Sequence, residues 1–183
     1  IFDGDLCEMT VLEINDGYEI NGYVNAENKI YLFIKLDSVE KSNHTNYLNS
    51  CPELQLPAVI NTDNIVGKNF KLDLYLDVEK FNKIFSCLTN KINYNLFSIL
   101  LASTRTVGVY CPGANSLYSE LLISENNLEV ADFNLTVSKF YKSINLIKMQ
   151  FDSLNFKGQI SSFFRKPPQK QIDFKEIKQI IDK

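Results

Sequence analysis

Residues 93 to 103, NYNLFSILLAS, limit the fold more than any other stretch of this chain. Tyr94, Leu96, Phe97, Ile99, Leu100, Leu101 and Ala102 place apolar groups on nearly every side of a helix of that length. A helix that is apolar all round has to be buried all round. With 183 residues the chain holds one domain with a substantial core, or two small halves of one architecture. In so small a body the natural cover for such a helix is a sheet curled around it. Four strand-like segments follow, at 116–124, 129–139, 144–151 and 154–164. The last alternates as Leu154, Phe156, Gly158, Ile160, Ser162 and Phe164, which directs one face inward. Asp152-Ser153 reads as the tight turn before it. Strands in hairpin order after a buried helix predict a segregated α+β fold, a curved antiparallel sheet wrapped around a buried central helix.

The rest of the chain is read from the same periodicities. Residues 5–36 form a β-meander in this reading. Cys7, Met9 and Val11 alternate with Glu8 and Thr10, Asp16-Gly17 makes a hairpin turn, and Ala26-Glu27-Asn28 makes the next. Ile30 to Leu36 is apolar almost throughout, as for a strand covered on both faces. Residues 37–69 are rich in Ser, Asn and Thr, carry Pro52 and Pro57, and are expected as a linker, with a short strand at Leu56 to Ile60. Phe70, Leu72, Leu74 and Leu76 alternate as a strand. Val78, Phe81, Ile84, Phe85 and Leu88 are spaced as one stripe of a helix. Pro167-Pro168 ends the sheet, because proline cannot donate to a ladder. Phe174, Ile177, Ile180 and Ile181 fit a short amphipathic helix or linker at 173–183.

Several function classes are set aside by composition. A formal net charge of −3, from 19 basic and 22 acidic side chains, leaves no electrostatic footprint for nucleic acid. No run of about 18 apolar residues is present to span a membrane. Cys7, Cys51, Cys87 and Cys111 form no CxxC pair, and His44 is the single histidine, so a zinc site is not expected. Four reduced, mostly buried thiols in a cytoplasmic protein are expected instead. The sequons at Asn43 and Asn134 read as chance matches in an Asn-rich chain without a secretion signal. The chain starts with Ile1 rather than Met, which points to an internal fragment. Neither GxSxG, a P-loop nor GxGxxG occurs.

One loop could carry chemistry. Cys111-Pro112-Gly113-Ala114-Asn115-Ser116 joins the apolar helix to the next strand. A Pro, a Gly and small polar residues there could expose backbone N–H groups, and a glycine lets a ligand approach the backbone closely. Such N–H groups can polarise a carbonyl oxygen. The same residues also suit an ordinary Pro-Gly turn. Cys111 fits a buried thiol better than a nucleophile, having no histidine near it in sequence.

The run VGVYCPGANSLYSELLI, after a buried helix and before strands ending in GQISSFFRKPPQKQ, resembles MaoC-like dehydratases of the hotdog fold. Their loop of the form PGxxS follows the buried helix. Their closing strand, G-x-I-x-x-F-x-R-P, is matched by Gly158, Ile160, Phe163 and Arg165, with Lys166 before Pro167. The resemblance covers residues 70–172 and makes 1–36 the strands of a first, incomplete half, as in a double hotdog. It implies an (R)-specific enoyl thioester hydratase or 3-hydroxyacyl thioester dehydratase acting on coenzyme A or acyl carrier protein, without a cofactor or metal, and a homo-oligomer. Cys111, Gly113, Ala114, Asn115 and Ser116 would lie along the thioester. The family's catalytic Asp and His, in a D-x-N-P-x-H motif before the central helix, have no counterpart: DVEKFNKIFSCLTNKINYN offers Asp77 but neither His nor Pro. His44 lies in SNHTNY with no DxNP before it and reads as a solvated loop histidine. The chain therefore looks like a non-catalytic half, with a silent acyl-binding or oligomerisation module as the alternative. Lys166, Lys170, Lys175 and Lys178 form a solvated face that could also attract coenzyme A phosphates or an acidic carrier protein.

Overall fold

The computed structural model describes residues 7–14, 17–24, 30–37, 52–53, 55–89 and 92–165. The expectations for His44, for the turn at 26–28, for Pro167-Pro168 and for the helix at 173–183 fall outside those residues.

The N-terminal meander forms as the alternation predicts. β1 (Cys7–Ile14), β2 (Gly17–Val24) and β3 (Ile30–Asp37) pair antiparallel in chain order, with Ile14 opposite Gly17 and an irregularity at Gly22/Tyr23. The second sheet holds β4 (Asn69–Leu72), β5 (Ser116–Tyr141) and β6 (Leu146–Phe164), again antiparallel. Lys71 and Asp132 add an exposed ion pair at 2.8 Å beside the β4–β5 ladder.

The four segments expected after the helix are the arms of β5 and β6. Neither element is interrupted by a loop, but each doubles back on itself. Extended without reversal, β6 would span about 60 Å. Yet the Phe164 N–H donates to the Asn145 carbonyl, 2.8 Å away, beside the start of β6. The reversal centres on Leu154, whose φ is +53°. β5 follows it: Ser116 lies opposite Phe164, Tyr141 opposite Leu146, and the register breaks repeatedly between Glu125 and Asn134. Such breaks bend and twist a strand, so the sheet curls. In the last segment the alternation picks out Leu154, Phe156 and Ile160, and these are buried. Ile147, Met149 and Phe151 line one arm of β6 and Leu154, Phe156 and Ile160 the other, all buried, together with Phe133, Leu135 and Val137 of β5.

Two helices pack on this curved face. α1 (Val78–Ile84) is capped by Asp77, whose Oδ1 accepts from the Lys80 N–H at 2.9 Å. α2 (Tyr94–Arg105) starts at Asn93, whose side chain accepts from the Asn95 N–H at 2.8 Å. The side chains of α2 at Asn95, Leu96, Ser98, Ile99, Ala102 and Ser103 are buried, and Ile99 is fully so. The small residues in that stripe let the helix approach the sheet closely. Their hydroxyls stay satisfied by bonding back to the helix: Ser98 to the Asn95 carbonyl and Ser103 to the Leu100 carbonyl, both at 2.7 Å. A flank of α2 is covered by α1, where Phe81 meets Phe97 edge-on at 4.4 Å and Tyr94 at 5.5 Å. Burial is nonetheless more one-sided than an all-round apolar helix requires, since Leu101 is 36% exposed. The architecture is α+β, an antiparallel sheet curved over a central helix.

Candidate functional site

The loop singled out in the sequence leaves α2 through a wider turn. Residues Thr106–Tyr110 continue as a π-helical turn, closed when the Cys111 N–H donates to the Thr106 carbonyl at 2.8 Å. Thr106 is itself tied back, its hydroxyl donating to the Ala102 carbonyl at 2.9 Å. Cys111, Pro112 and Gly113 are then buried, and the Cys111-Pro112 peptide is cis. Gly113 has φ +76° and Asn115 has φ +62°, so both reversals sit in the left-handed region, where Gly and Asn are the residues best tolerated.

The five residues proposed to line a ligand are held together, and their backbone donors are largely in use. The Cys111 N–H bonds Thr106, the Gly113 N–H bonds the Val107 carbonyl at 3.0 Å, and the Ser116 N–H bonds the Gly113 carbonyl at 3.3 Å. The Ser116 hydroxyl also donates to the Val107 carbonyl, at 2.9 Å. The Ala114 N–H differs, because its acceptor lies on another segment: the Ala58 carbonyl, at 2.9 Å. Ala58 returns the bond through its own N–H to the Val109 carbonyl at 2.7 Å, and Val59 bridges Gly113 antiparallel. The short strand expected at Leu56 to Ile60 is thus a strap across this loop. A Cβ on Gly113 would collide with the Ala58 carbonyl oxygen, with Ala58 C and N at 3.1 Å. The glycine does permit a close backbone approach, and the backbone that approaches belongs to this chain.

The far side of the loop is clasped by the end of the sheet. The Asn115 carbonyl accepts from the Arg165 backbone N–H at 3.1 Å and from its Nε at 3.4 Å. Burial pushes the Cys111 thiol up to about 12, with Lys68 pulling slightly the other way. A thiol so placed stays protonated and is no nucleophile at neutral pH.

No family model and no curated protein matches this chain. Among solved structures, it is similar to an (R)-hydratase from A. caviae involved in PHA biosynthesis, at 14% identity and a TM-score of 0.45, over 57% of this chain and 100% of that one. It is also similar to R-hydratase PhaJ1 from Pseudomonas aeruginosa in the unliganded form, at 11% identity and a TM-score of 0.46, over 65% of this chain and 99% of that one.

The family resemblance puts an Asp and a His in the stretch before α2. Asn93 caps the helix there, and Tyr94 donates its hydroxyl to Asn82 Oδ1 at 3.0 Å, an atom that also accepts from Thr89 Oγ1 at 3.2 Å. These groups are amides and hydroxyls, with no carboxylate or imidazole among them. Asp77 is engaged as the cap of α1. Among the described residues no group of three or more His, Cys, Asp or Glu could hold a metal, and no helix is long and apolar enough to cross a membrane.

One polar pair escaped sequence reasoning. Tyr118 on β5 donates to Ser103 Oγ on α2 at 2.9 Å, and burial raises the Tyr118 phenol while that bond lowers it. Nothing in local periodicity couples residues on a helix and a strand. The clue in the sequence is Ser103, a polar residue in the buried stripe of α2.

Proposed function

We propose that the chain is a hydratase-like acyl-thioester module without its own acid–base pair: the non-catalytic half of an (R)-specific enoyl thioester hydratase or 3-hydroxyacyl thioester dehydratase. Residues 70–172 form its hotdog unit, 37–69 a linker, and 1–36 strands of a first, incomplete half. Cys111, Gly113, Ala114, Asn115 and Ser116 face the thioester of coenzyme A or acyl carrier protein. The observation that carries the reading is the chemistry at the start of α2. Between Asp77, engaged as the cap of α1, and Asn93, the cap of α2, no histidine is present to complete the pair that proton transfer to the substrate α-carbon needs at fixed spacing. The reading places the module in the cytoplasm, where a thiol such as Cys111 stays reduced.

The test has two arms. Crotonyl-CoA hydration, followed by loss of enoyl absorbance, is expected not to rise above the uncatalysed rate when this chain is added. Butyryl-CoA, which cannot react, is expected to bind in a calorimetric titration. Turnover that scales with protein would overturn the silent assignment. Absence of binding, even with the loop uncovered, would overturn the acyl-thioester reading.

A second reading, an oligomerisation module, is favoured by the arm of β5 at 116–125. Among the described residues this arm pairs with β6 alone. Leu117 and Leu122 on it are 50% and 53% exposed. Sedimentation of the parent chain beside a Leu117→Lys, Leu122→Lys variant separates the two, since a homo-oligomer seated on that edge would dissociate.

A further inference from the structure

The loop is closed, and the manner of its closure points to how it is controlled. We infer that residues 57–59 are an autoinhibitory strap, and that the Ala58 carbonyl occupies the place of a thioester carbonyl on the Ala114 N–H. The inference rests on the reading of 111–116 as the thioester-facing loop and adds the regulation of that site.

Three observations carry it. First, the N–H groups of Cys111, Gly113 and Ser116 bond acceptors within 106–113, so freeing them would unfold the loop. The Ala114 N–H can be freed by moving the strap alone, because its acceptor is Ala58. Second, the close approach that Gly113 allows is already taken, since any side chain there would strike Ala58 backbone atoms. A ligand carbonyl and Ala58 therefore compete for one position. Third, the strap is held by its backbone rather than by packing. Leu56 and Val59 are each 90% exposed, so lifting the strap uncovers almost none of their apolar surface. It is anchored beyond the contact by Ile60 and Ile65, which pack on the core and stay in place when 57–59 lift.

The groups uncovered suit an acyl-pantetheine arm. The Ala114 N–H would donate to the thioester oxygen, and the Val109 carbonyl, released by the Ala58 N–H, would accept from a pantetheine amide. Backbone donors and acceptors recognise an extended, strand-like ligand in this way when one segment replaces another at an edge. The affinity observed for the closed protein is the intrinsic affinity reduced by the fraction of time the strap is open.

Amide hydrogen exchange of the chain with and without saturating butyryl-CoA tests this directly. The expected signature is opposite behaviour at two amides. The Ala58 N–H exchanges at least about tenfold faster when ligand is bound, while the Ala114 N–H stays protected because its acceptor has been replaced rather than lost. Ala58→Pro removes the strap's own donor without touching the loop and should tighten butyryl-CoA by about tenfold, the worth of one backbone hydrogen bond. If that variant does not fold cooperatively, the double variant Leu56→Gly, Val59→Gly loosens the strap at two solvated positions and should act in the same direction.

Binding that leaves both amides of the parent unchanged overturns the strap and spares the acyl-thioester reading. A strap-loosened variant whose Ala114 amide exchanges faster, and which still does not bind, overturns the acyl-thioester reading and the strap with it.

Discussion

Replacing Gly158 by alanine sets two opposing terms against each other at a close contact within the curved sheet. Gly158 lies opposite Ile123 in the ladder and outside the left-handed region, so its backbone can accept a Cβ. By chain entropy alone, alanine at a compatible glycine stabilises a protein by about 0.4–1 kcal/mol. Space decides otherwise. The new Cβ would meet the Leu122 carbonyl oxygen and the Phe151 ring, whose Cε1 and Cζ lie at 2.5 and 2.6 Å. The carbonyl belongs to the ladder and cannot rotate away. The ring is 2% exposed and stacks on Phe133 at 4.8 Å, so it cannot swing aside without disturbing the centre of the core. Overpacking of this kind costs about 1–3 kcal/mol, and two immobile neighbours put the site at the upper end. The net expectation is a loss of about 2 kcal/mol. Gly108→Ala is the matched control. Nothing lies within 4 Å of a Cβ there and the residue is in a helical turn, so alanine should stabilise by about 0.5–1 kcal/mol. Urea unfolding of the three proteins at a common slope should order them Gly108→Ala, parent, Gly158→Ala, with the two variants about 3 kcal/mol apart. A Gly158→Ala protein as stable as the Gly108→Ala protein would refute the claim that the sheet closes tightly at that position.

The remaining predictions concern the helix and its exit. Ile99→Ala, at a fully buried position, should cost about 2–5 kcal/mol, whereas Leu101→Ala should stay within about 0.5 kcal/mol; equal losses in urea titrations would mean that α2 is covered on all sides. Asn93→Ala removes the cap on the Asn95 N–H and should cost about 1 kcal/mol, while Asn93→Asp, which keeps the acceptor, should recover most of it. Cys111 should resist a thiol reagent under native conditions and react fully in denaturant. Its folded-state value is raised to about 12 from about 9, so the folded chain holds the proton longer than the unfolded one. The stability it contributes is therefore complete below pH 9 and is lost as pH rises from about 9 to about 12. Cys111→Ala should flatten that alkaline loss, and an unchanged alkaline profile would contradict the burial.

Much of the fold was legible because each element carries one dominant period. The alternation at Cys7, Met9 and Val11 and the apolar run from Ile30 specified strands of the meander, and the stripe from Val78 specified α1, which ends at Ile84 and gives way to a 3-10 turn at Ser86–Leu88 before the stripe does. The four later strand segments were also visible, along with the inward face of the last. Hidden from the sequence was their continuity. Asp152-Ser153 reads as a turn that ends a strand, but the reversal is made within extended geometry by Leu154 at positive φ, a conformation no local rule assigns to leucine. Leu101 misled for a related reason: an apolar side chain can be exposed, and hydrophobicity alone does not say which side of a helix the sheet will cover. At the candidate site, Pro112-Gly113 announced a reversal, and Leu56 to Ile60 announced a strand. Their pairing joins residues far apart in sequence, and nothing local encodes that register.

The same distinction separates the polar groups at the start of α2 from those of the loop that leaves it. The start of α2 is buried, with Asn93 at 7% exposure. An ionisable pair in such a place has to be desolvated, and the penalty is offset only by partners held in the right geometry. An amide is a neutral acceptor that caps the helix equally well and carries no such cost. The Cys111 to Ser116 loop follows the opposite logic. Its N–H groups must have acceptors whether or not a ligand arrives, and Thr106, Val107, Gly113 and Ala58 supply them. Asn93 and the Ala58 carbonyl are in this sense two solutions to one problem, a polar site that must be stable when nothing is bound. They differ in that the first is built into the helix and the second can lift away.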